Sequence, residues 1–233
     1  EQTQYNPAIN IIRTGDLNPH FFRYPSLAIY IDTVVLYIGY WTGRLFGAFR
    51  SVSDLQPIQT AGYARGLVGT PAMLLLGRAT TALFGTLTIG LVAALARQFL
   101  RKCWPALGVA LLLAISPEHI RLSHYMTVDV IATFFAIACL ACCTLYLVRQ
   151  RKGWLWAAAI CGGLATSSKY NYGLLALPVA LSVFLDRRLW LEEAIKRLVL
   201  CGVLFGLAFV CTSPYVLLDF ETASRDIRSE MQH

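Results

Sequence analysis

Long apolar runs alternate with short basic clusters along this chain of 233 residues. Thr80 to Ala96 carries no charge, Val130 to Val148 carries none, and Leu198 to Leu218 is uncharged apart from its polar end. A soluble amphipathic helix would show a polar face at 3.6-residue spacing; these runs do not, and about 20 apolar residues suffice to cross a bilayer. The pattern predicts an all-α, multi-pass transmembrane helix bundle of about six spans with juxtamembrane helices. The expected spans lie near 79–96, 104–116, 128–148, 154–168, 173–186 and 198–213, the second being short and bounded by Pro105 and Pro117. Three basic clusters mark the cytoplasmic side by the positive-inside rule: Arg97, Arg101 and Lys102; Arg149, Arg151 and Lys152; and Arg187, Arg188, Lys196 and Arg197. Segment 26–47 is apolar and aromatic but contains Asp32, and a crossing there would move everything after it to the other side unless another crossing followed; the run 67–76 is too short for that. It therefore reads as a juxtamembrane, partly embedded helix, with Tyr and Trp at the interface. The domain division is then an outer-face loop with juxtamembrane helices over 1–78, a transmembrane bundle over 79–213, and the start of a further outer loop over 214–233. Gly162, Gly163, Gly202 and Gly206 are expected at helix–helix contacts, where small residues let backbones approach.

Composition sharpens this picture. The chain is 57% hydrophobic and 14% charged, against roughly 25% charged in soluble domains. A net charge of +7 could suggest nucleic acid, but the basic residues sit at helix ends and form no basic face. Cys139, Cys142, Cys143, Cys161, Cys201 and Cys211 lie in apolar runs and Cys103 beside a basic turn, so they read as small hydrophobes and not as a disulfide framework. The sequence begins at Glu1 without Met and stops at His233 inside a polar stretch, which reads as a fragment with a helix preceding residue 1.

The alternation gathers Glu1, His20, His124, Asp129, Lys169, Asp219 and His233 on the outer face. Asp129 falls in the first turn of a helix, where the dipole favours an anion; it is either a helix-starting carboxylate or an acid acting as base or cation ligand at the membrane surface. Lys169 ends a span and is either a snorkelling lysine or a clamp for a lipid phosphate. Arg78 interrupts an apolar run, which is costly unless it faces headgroups or a polar cavity. Arg121, Arg23 and Tyr24 add donors on the same side, and arginine can fork onto phosphate oxygens.

In order and spacing these residues resemble a known family. Asp16-Leu17-Asn18-Pro19-His20-Phe21-Phe22-Arg23-Tyr24-Pro25-Ser26-Leu27 is similar to a stretch in the first outer loop of family 39 glycosyltransferases, relatives of the dolichyl-phosphate-mannose–protein mannosyltransferases and of the lipid A aminoarabinose transferases. Gly77-Arg78 through Arg97 resembles the helix that follows, Ser116-Pro117 to Ser123-His124 and Asp129 the second outer loop, Gly163 to Lys169-Tyr170 the end of a later helix, and Ser213-Pro214-Tyr215 with Asp219 the entry to the next loop. Where many members have Pro-Pro this chain has Pro25-Ser26, and Tyr24 stands where some carry a basic residue.

The resemblance implies a GT-C-like membrane fold and transfer of a sugar from a polyprenyl-phosphate donor to a hydroxyl of a protein, glycan or lipid acceptor, with membrane lipids as surroundings and inversion at the anomeric carbon. Members carry an Asp-Glu pair after their first transmembrane helix, and Glu1 falls at its Glu, with the Asp expected immediately before. The implied base is that preceding Asp with Glu1 beside it as the catalytic carboxylates; Asp129 is a further candidate in the catalytic set, holding either the acceptor or a cation, and Lys169 first, then Arg78, with His124 and Tyr24, are the candidate substrate or phosphate contacts. Asp129 is also a candidate ligand for a divalent metal ion. A transporter or flippase, or a catalytically inactive scaffold relative, stays open beside this reading.

Overall fold

The computed structural model describes residues 1–58, 69–100 and 102–230; Arg101 of the first basic cluster and His233 lie outside the described residues. These are all-α, with helices α1 (Gln2–Thr14), α2 (Leu27–Leu45), α3 (Pro71–Phe99), α4 (Cys103–Ala114), α5 (Pro117–Ser123), α6 (Val128–Arg149), α7 (Lys152–Thr166), α8 (Ala176–Phe184), α9 (Leu191–Thr212), α10 (Tyr215–Leu218) and α11 (Phe220–Glu230). There is no strand among the described residues. By length and apolarity α3, α6 and α9 can each cross a membrane, and the α4–α5 pair, bent by 62°, makes up to 4. Helix α7 has 15 residues, a rise of about 22 Å at 1.5 Å per residue, which is short of a hydrocarbon core of about 30 Å. The α8 region, Tyr170–Phe184, is likewise apolar but short.

Helix α3 begins earlier than the sequence pattern suggests. Pro71 occupies its first turn, where proline loses no hydrogen bond and its φ is already helical. Arg78 is therefore two turns inside the helix. Helices α6 and α7 form a tight hairpin because Gln150 adopts a left-handed conformation, φ 53°, with its N–H on the Tyr146 carbonyl. Their shared face buries Cys139, Cys143, Tyr146, Leu155, Ala158 and Ala159, so the cysteines pack as small apolar groups, as expected.

Helix α9 closes over this hairpin at Gly162 and Gly163. A Cβ on Gly163 would collide with the Phe205 carbonyl oxygen and come 2.8 Å from the Ala208 Cβ. Gly163→Leu is expected to lower stability by about 1–3 kcal/mol through overpacking; the thermal midpoint in detergent checks this, and an unchanged midpoint would mean the two helices do not meet there. Gly202 and Gly206 depart from the expected contact role. A Cβ on either would meet nothing within 4 Å, and both line an apolar groove between α8 and α9.

The two ends of the bundle differ in chemistry. At one end Arg197 Nη1 donates to the Tyr146 hydroxyl at 2.7 Å, which donates to Asp186 Oδ2 at 2.7 Å, and Lys152 Nζ reaches Glu193 at 3.1 Å. These residues lie among or beside the basic clusters, so that network braces their end. At the other end the chain before α2 is clamped onto α7 and α9: Leu27 N–H donates to the Ser167 carbonyl at 3.0 Å and Ser26 N–H to Ser213 Oγ at 2.9 Å, while the Ser167 and Ser213 hydroxyls meet at 2.6 Å. This clamp fixes the Arg23–Pro25 segment beside the ends of two bundle helices.

Candidate functional site

At the clamped end, two ion pairs form around the start of α6. The first joins residues 77 apart in sequence: Arg78 Nε donates to Glu1 Oε1 at 2.7 Å and Nη2 to Oε2 at 2.8 Å, a bidentate fork. Met126 N–H adds a bond to Glu1 Oε1 at 3.3 Å. The methionine side chain is buried against Gly77, where a Cβ would strike its sulfur. That close approach lets the segment leading into α6 lie against α3 and present its amide to the carboxylate. The Arg78 hydrogen bonds, opposed by burial and helped by the Met126 amide, hold the Glu1 carboxyl below its usual range. Arg78 also lies over the Tyr125 ring, 5.8 Å from its centre.

The second pair joins α6 to the end of α7. Lys169 Nζ donates to Asp129 Oδ1 at 2.6 Å, with both side chains about one-third exposed. Burial pulls the Lys169 ammonium down, but the bond to Asp129 and its charge more than offset this, and the net shift is upward. An ammonium has three donors, so the Asp129 bond leaves others free. Lys169 also lines a cavity of about 440 Å³ with Arg23, Tyr24, Tyr170, Asn171 and Glu230. Tyr170 is held there by donation to the Phe22 carbonyl at 3.1 Å.

The expected site residues thus divide into two groups. Tyr24 lines this cavity with Lys169, whose ammonium is bonded to Asp129, whereas His124 and Arg78 line a different one, of about 470 Å³, between α3 and α5. Met126 links them, since its amide holds Glu1 and it lies three residues before Asp129 in sequence. His20 and Asp219 stay apart, in a knot with Asp16 and Asn18, and Arg121 pairs with Glu118 on the exposed face of α5. Three residues not singled out from sequence line the cavities: His119, Asn171 and Glu230. His119 lies inside the 116–124 stretch, but its place at the cavity becomes visible only when α5 lies against α3.

Among the described residues Asp129 is a single carboxylate for the expected metal, with no second acidic, His or Cys ligand grouped around it. No group of three or more His, Cys, Asp or Glu side chains among them could hold an ion, and Asp129 Oδ1 already accepts from an ammonium.

The family model described as dolichyl-phosphate-mannose-protein mannosyltransferase matches residues 68–191. The chain belongs to the dolichyl-phosphate-mannose–protein mannosyltransferase family. No curated protein and no solved structure gives a match. Membership of this mannosyltransferase family, together with the apolar helices, makes this a multi-pass membrane protein of glycosyltransferase type. Arg78, His124, Asp129 and Lys169 fall inside the matched segment; Glu1 and Tyr24 fall outside it.

Proposed function

We propose that the protein transfers a sugar from a polyprenyl-phosphate donor to an acceptor hydroxyl at the outer membrane face, at the junction where the Glu1–Arg78 and Asp129–Lys169 pairs meet the start of α6. The observation that carries this reading is the Asp129–Lys169 pair at the edge of the Arg23–Tyr24 cavity, which sets a carboxylate beside a polar recess lined by Arg23, Lys169 and Glu230. The donor's phosphate docks against Arg23 and the free donors of Lys169. The acceptor oxygen attacks the anomeric carbon, and the bond from that carbon to the phosphate oxygen breaks. The acceptor proton passes to Asp129, and the polyprenyl phosphate leaves with its charge held by Lys169 and Arg23. Docking of phosphate on Lys169 weakens its hold on Asp129 and so frees the carboxylate to act as base. Glu1 is already committed to three donors; its role is to hold Arg78 and the approach to α6 in place. Any divalent ion at Asp129 would need ligands beyond those described.

The test uses the full-length protein in proteoliposomes, given a sugar-labelled mannosyl-phosphoryl-polyprenol. Release of polyprenyl phosphate with transfer of the label to a hydroxyl is expected. Movement of an intact solute or lipid across the bilayer with no bond broken would instead favour a transporter or flippase. For orientation, single cysteines at His124 and Gln150 should react with an impermeant thiol reagent from opposite sides, His124→Cys from the outer one. Labelling of both from one side would contradict the outward-facing site.

A further inference from the structure

The basic end of the bundle holds a recess that takes no part in the transfer chemistry above. The last turns of α3 and α6 lie side by side there and enclose a cavity of about 570 Å³, lined by Ala94, Arg97 and Gln98 of α3 and by Leu145, Val148 and Arg149 of α6. Arg149 stands at the opposite end of α6 from Asp129, about 30 Å away along the helix at 1.5 Å per residue. Two guanidinium groups from separate helices thus share one recess.

Their charge is unmatched. The carboxylates of this end are engaged elsewhere: Asp186 and Glu193 with Arg197, Glu193 also with Lys152, and Glu192 with Lys196. Among the described residues neither Arg97 nor Arg149 makes an ion pair. Arg149 lies over the Trp154 ring, 6.0 Å from its centre, a contact with the ring face that neutralises no charge. Each arginine closes a helix at its C-terminal end, where the dipole favours a cation, and that accounts for one arginine per helix. It does not account for Gln98. The Gln98 Oε1 atom is buried with no hydrogen-bond partner among the described residues, in a side chain that lines the same cavity. A buried amide is costly until a polar group meets it. A hydroxyl satisfies it whichever way the amide is turned, because a hydroxyl both donates and accepts. Two unmatched guanidiniums suit a phosphate. The ligand chemistry is therefore a phosphate ester that carries a hydroxyl. Ala94 and Leu145 lie about one turn, 5 Å, further into the membrane than the arginines, so the recess has an apolar floor that suits the lipid form of such an ester.

We infer that this recess binds one anionic phospholipid, its phosphate between Arg97 and Arg149 and a head-group hydroxyl on the Gln98 amide, as basic pockets between membrane helices do elsewhere. The site is separate from the transfer site and does not depend on the glycosyl-transfer reading. The full-length protein in a neutral detergent is titrated with phosphatidylglycerol, and bound lipid is counted by native mass spectrometry. One phosphatidylglycerol is expected to bind in preference to phosphatidylcholine. Arg97→Gln and Arg149→Gln, both at exposed side chains, should each weaken it about tenfold, the worth of a hydrogen bond to a charged group. Gln98→Leu should weaken phosphatidylglycerol about fivefold and leave phosphatidylmethanol, which has the charge but no hydroxyl, unchanged. Arg187→Gln with Arg188→Gln removes the same charge from the exposed loop between α8 and α9, outside the recess, and should change nothing. An equal loss from that control pair would overturn the site in favour of diffuse attraction to a basic face. Affinity unchanged by both recess arginine variants would overturn it outright. Glycerol 3-phosphate displacing the lipid at matching concentration would overturn the lipid assignment in favour of a soluble phosphate ester.

Discussion

Asp129→Asn is expected to lower sugar transfer by about 10²–10⁴-fold, the usual contribution of a positioned base, while leaving donor binding intact. The asymmetry follows from the pairing. Asparagine at 129 can still accept from Lys169 through its amide oxygen, but it cannot take a proton. Lys169 loses a negative neighbour and gains freedom to meet the donor's phosphate, so the donor KM should stay level or fall as kcat collapses. Lys169→Met is expected to do something different, raising the donor KM and lowering kcat together because the leaving phosphate loses a cation in the transition state. Steady-state kinetics on the full-length protein separate the two. Equal effects of both variants on KM alone would reduce the pair to a structural tie.

Arg78→Met should also remove activity, by a different route. It leaves Glu1, with a side chain only 11% exposed, as a carboxylate without its counterion. Orphaning one partner of a buried pair costs about 3–5 kcal/mol. The Arg78 side chain is 41% exposed, so solvent screening brings the expectation down to about 2 kcal/mol. The larger consequence is local: without the fork, Glu1 no longer holds the Met126 amide, and the start of α6 that carries Asp129 loses a brace. Arg78→Lys should recover part of the activity, since it restores charge without the fork.

The same pair has a pH signature. The Glu1 carboxyl lies below its ordinary value of 4.5 when folded, so the unfolded state binds its proton more readily and folding is favoured above that value. The contribution is fully present above pH 4.5 and is lost as pH falls through the lower folded pKa. Thermal midpoints measured at falling pH should therefore converge for wild type and Arg78→Met in acid. A difference that stays constant to the acid limit would mean that Glu1 is not the partner that matters.

Much of the architecture was legible because it depends on local pattern. The apolar runs place α3, α6 and α9 directly, and Pro117 after Ser116 marks the break between α4 and α5. Gly163 at a close contact is readable from its neighbours, but Gly202 and Gly206 look the same in sequence and face open space. Glycine signals permission to approach, and whether another helix uses it depends on the fold. The site was legible residue by residue and not pair by pair. Asp129 and Lys169 stood out separately, 40 positions apart, and nothing in the chain indicated that they bond. Arg78 read as a phosphate contact because an arginine in an apolar run needs an anion; it has one, but the anion is Glu1, delivered by α1 as it packs on α2 in a core shared with Met73 of α3. His124 was grouped with Lys169 by topology, and the bend between α4 and α5 places it on the other cavity.

The most direct test of the central claim is a double-mutant cycle on Asp129→Asn and Lys169→Met, read as kcat/KM for a mannosyl-phosphoryl-polyprenol donor. If the pair is the transfer site, the two losses should fail to add by about 1–3 kcal/mol, as bonded residues do. Losses that add, or an Asp129→Asn protein with wild-type turnover, would contradict the account and place the chemistry elsewhere.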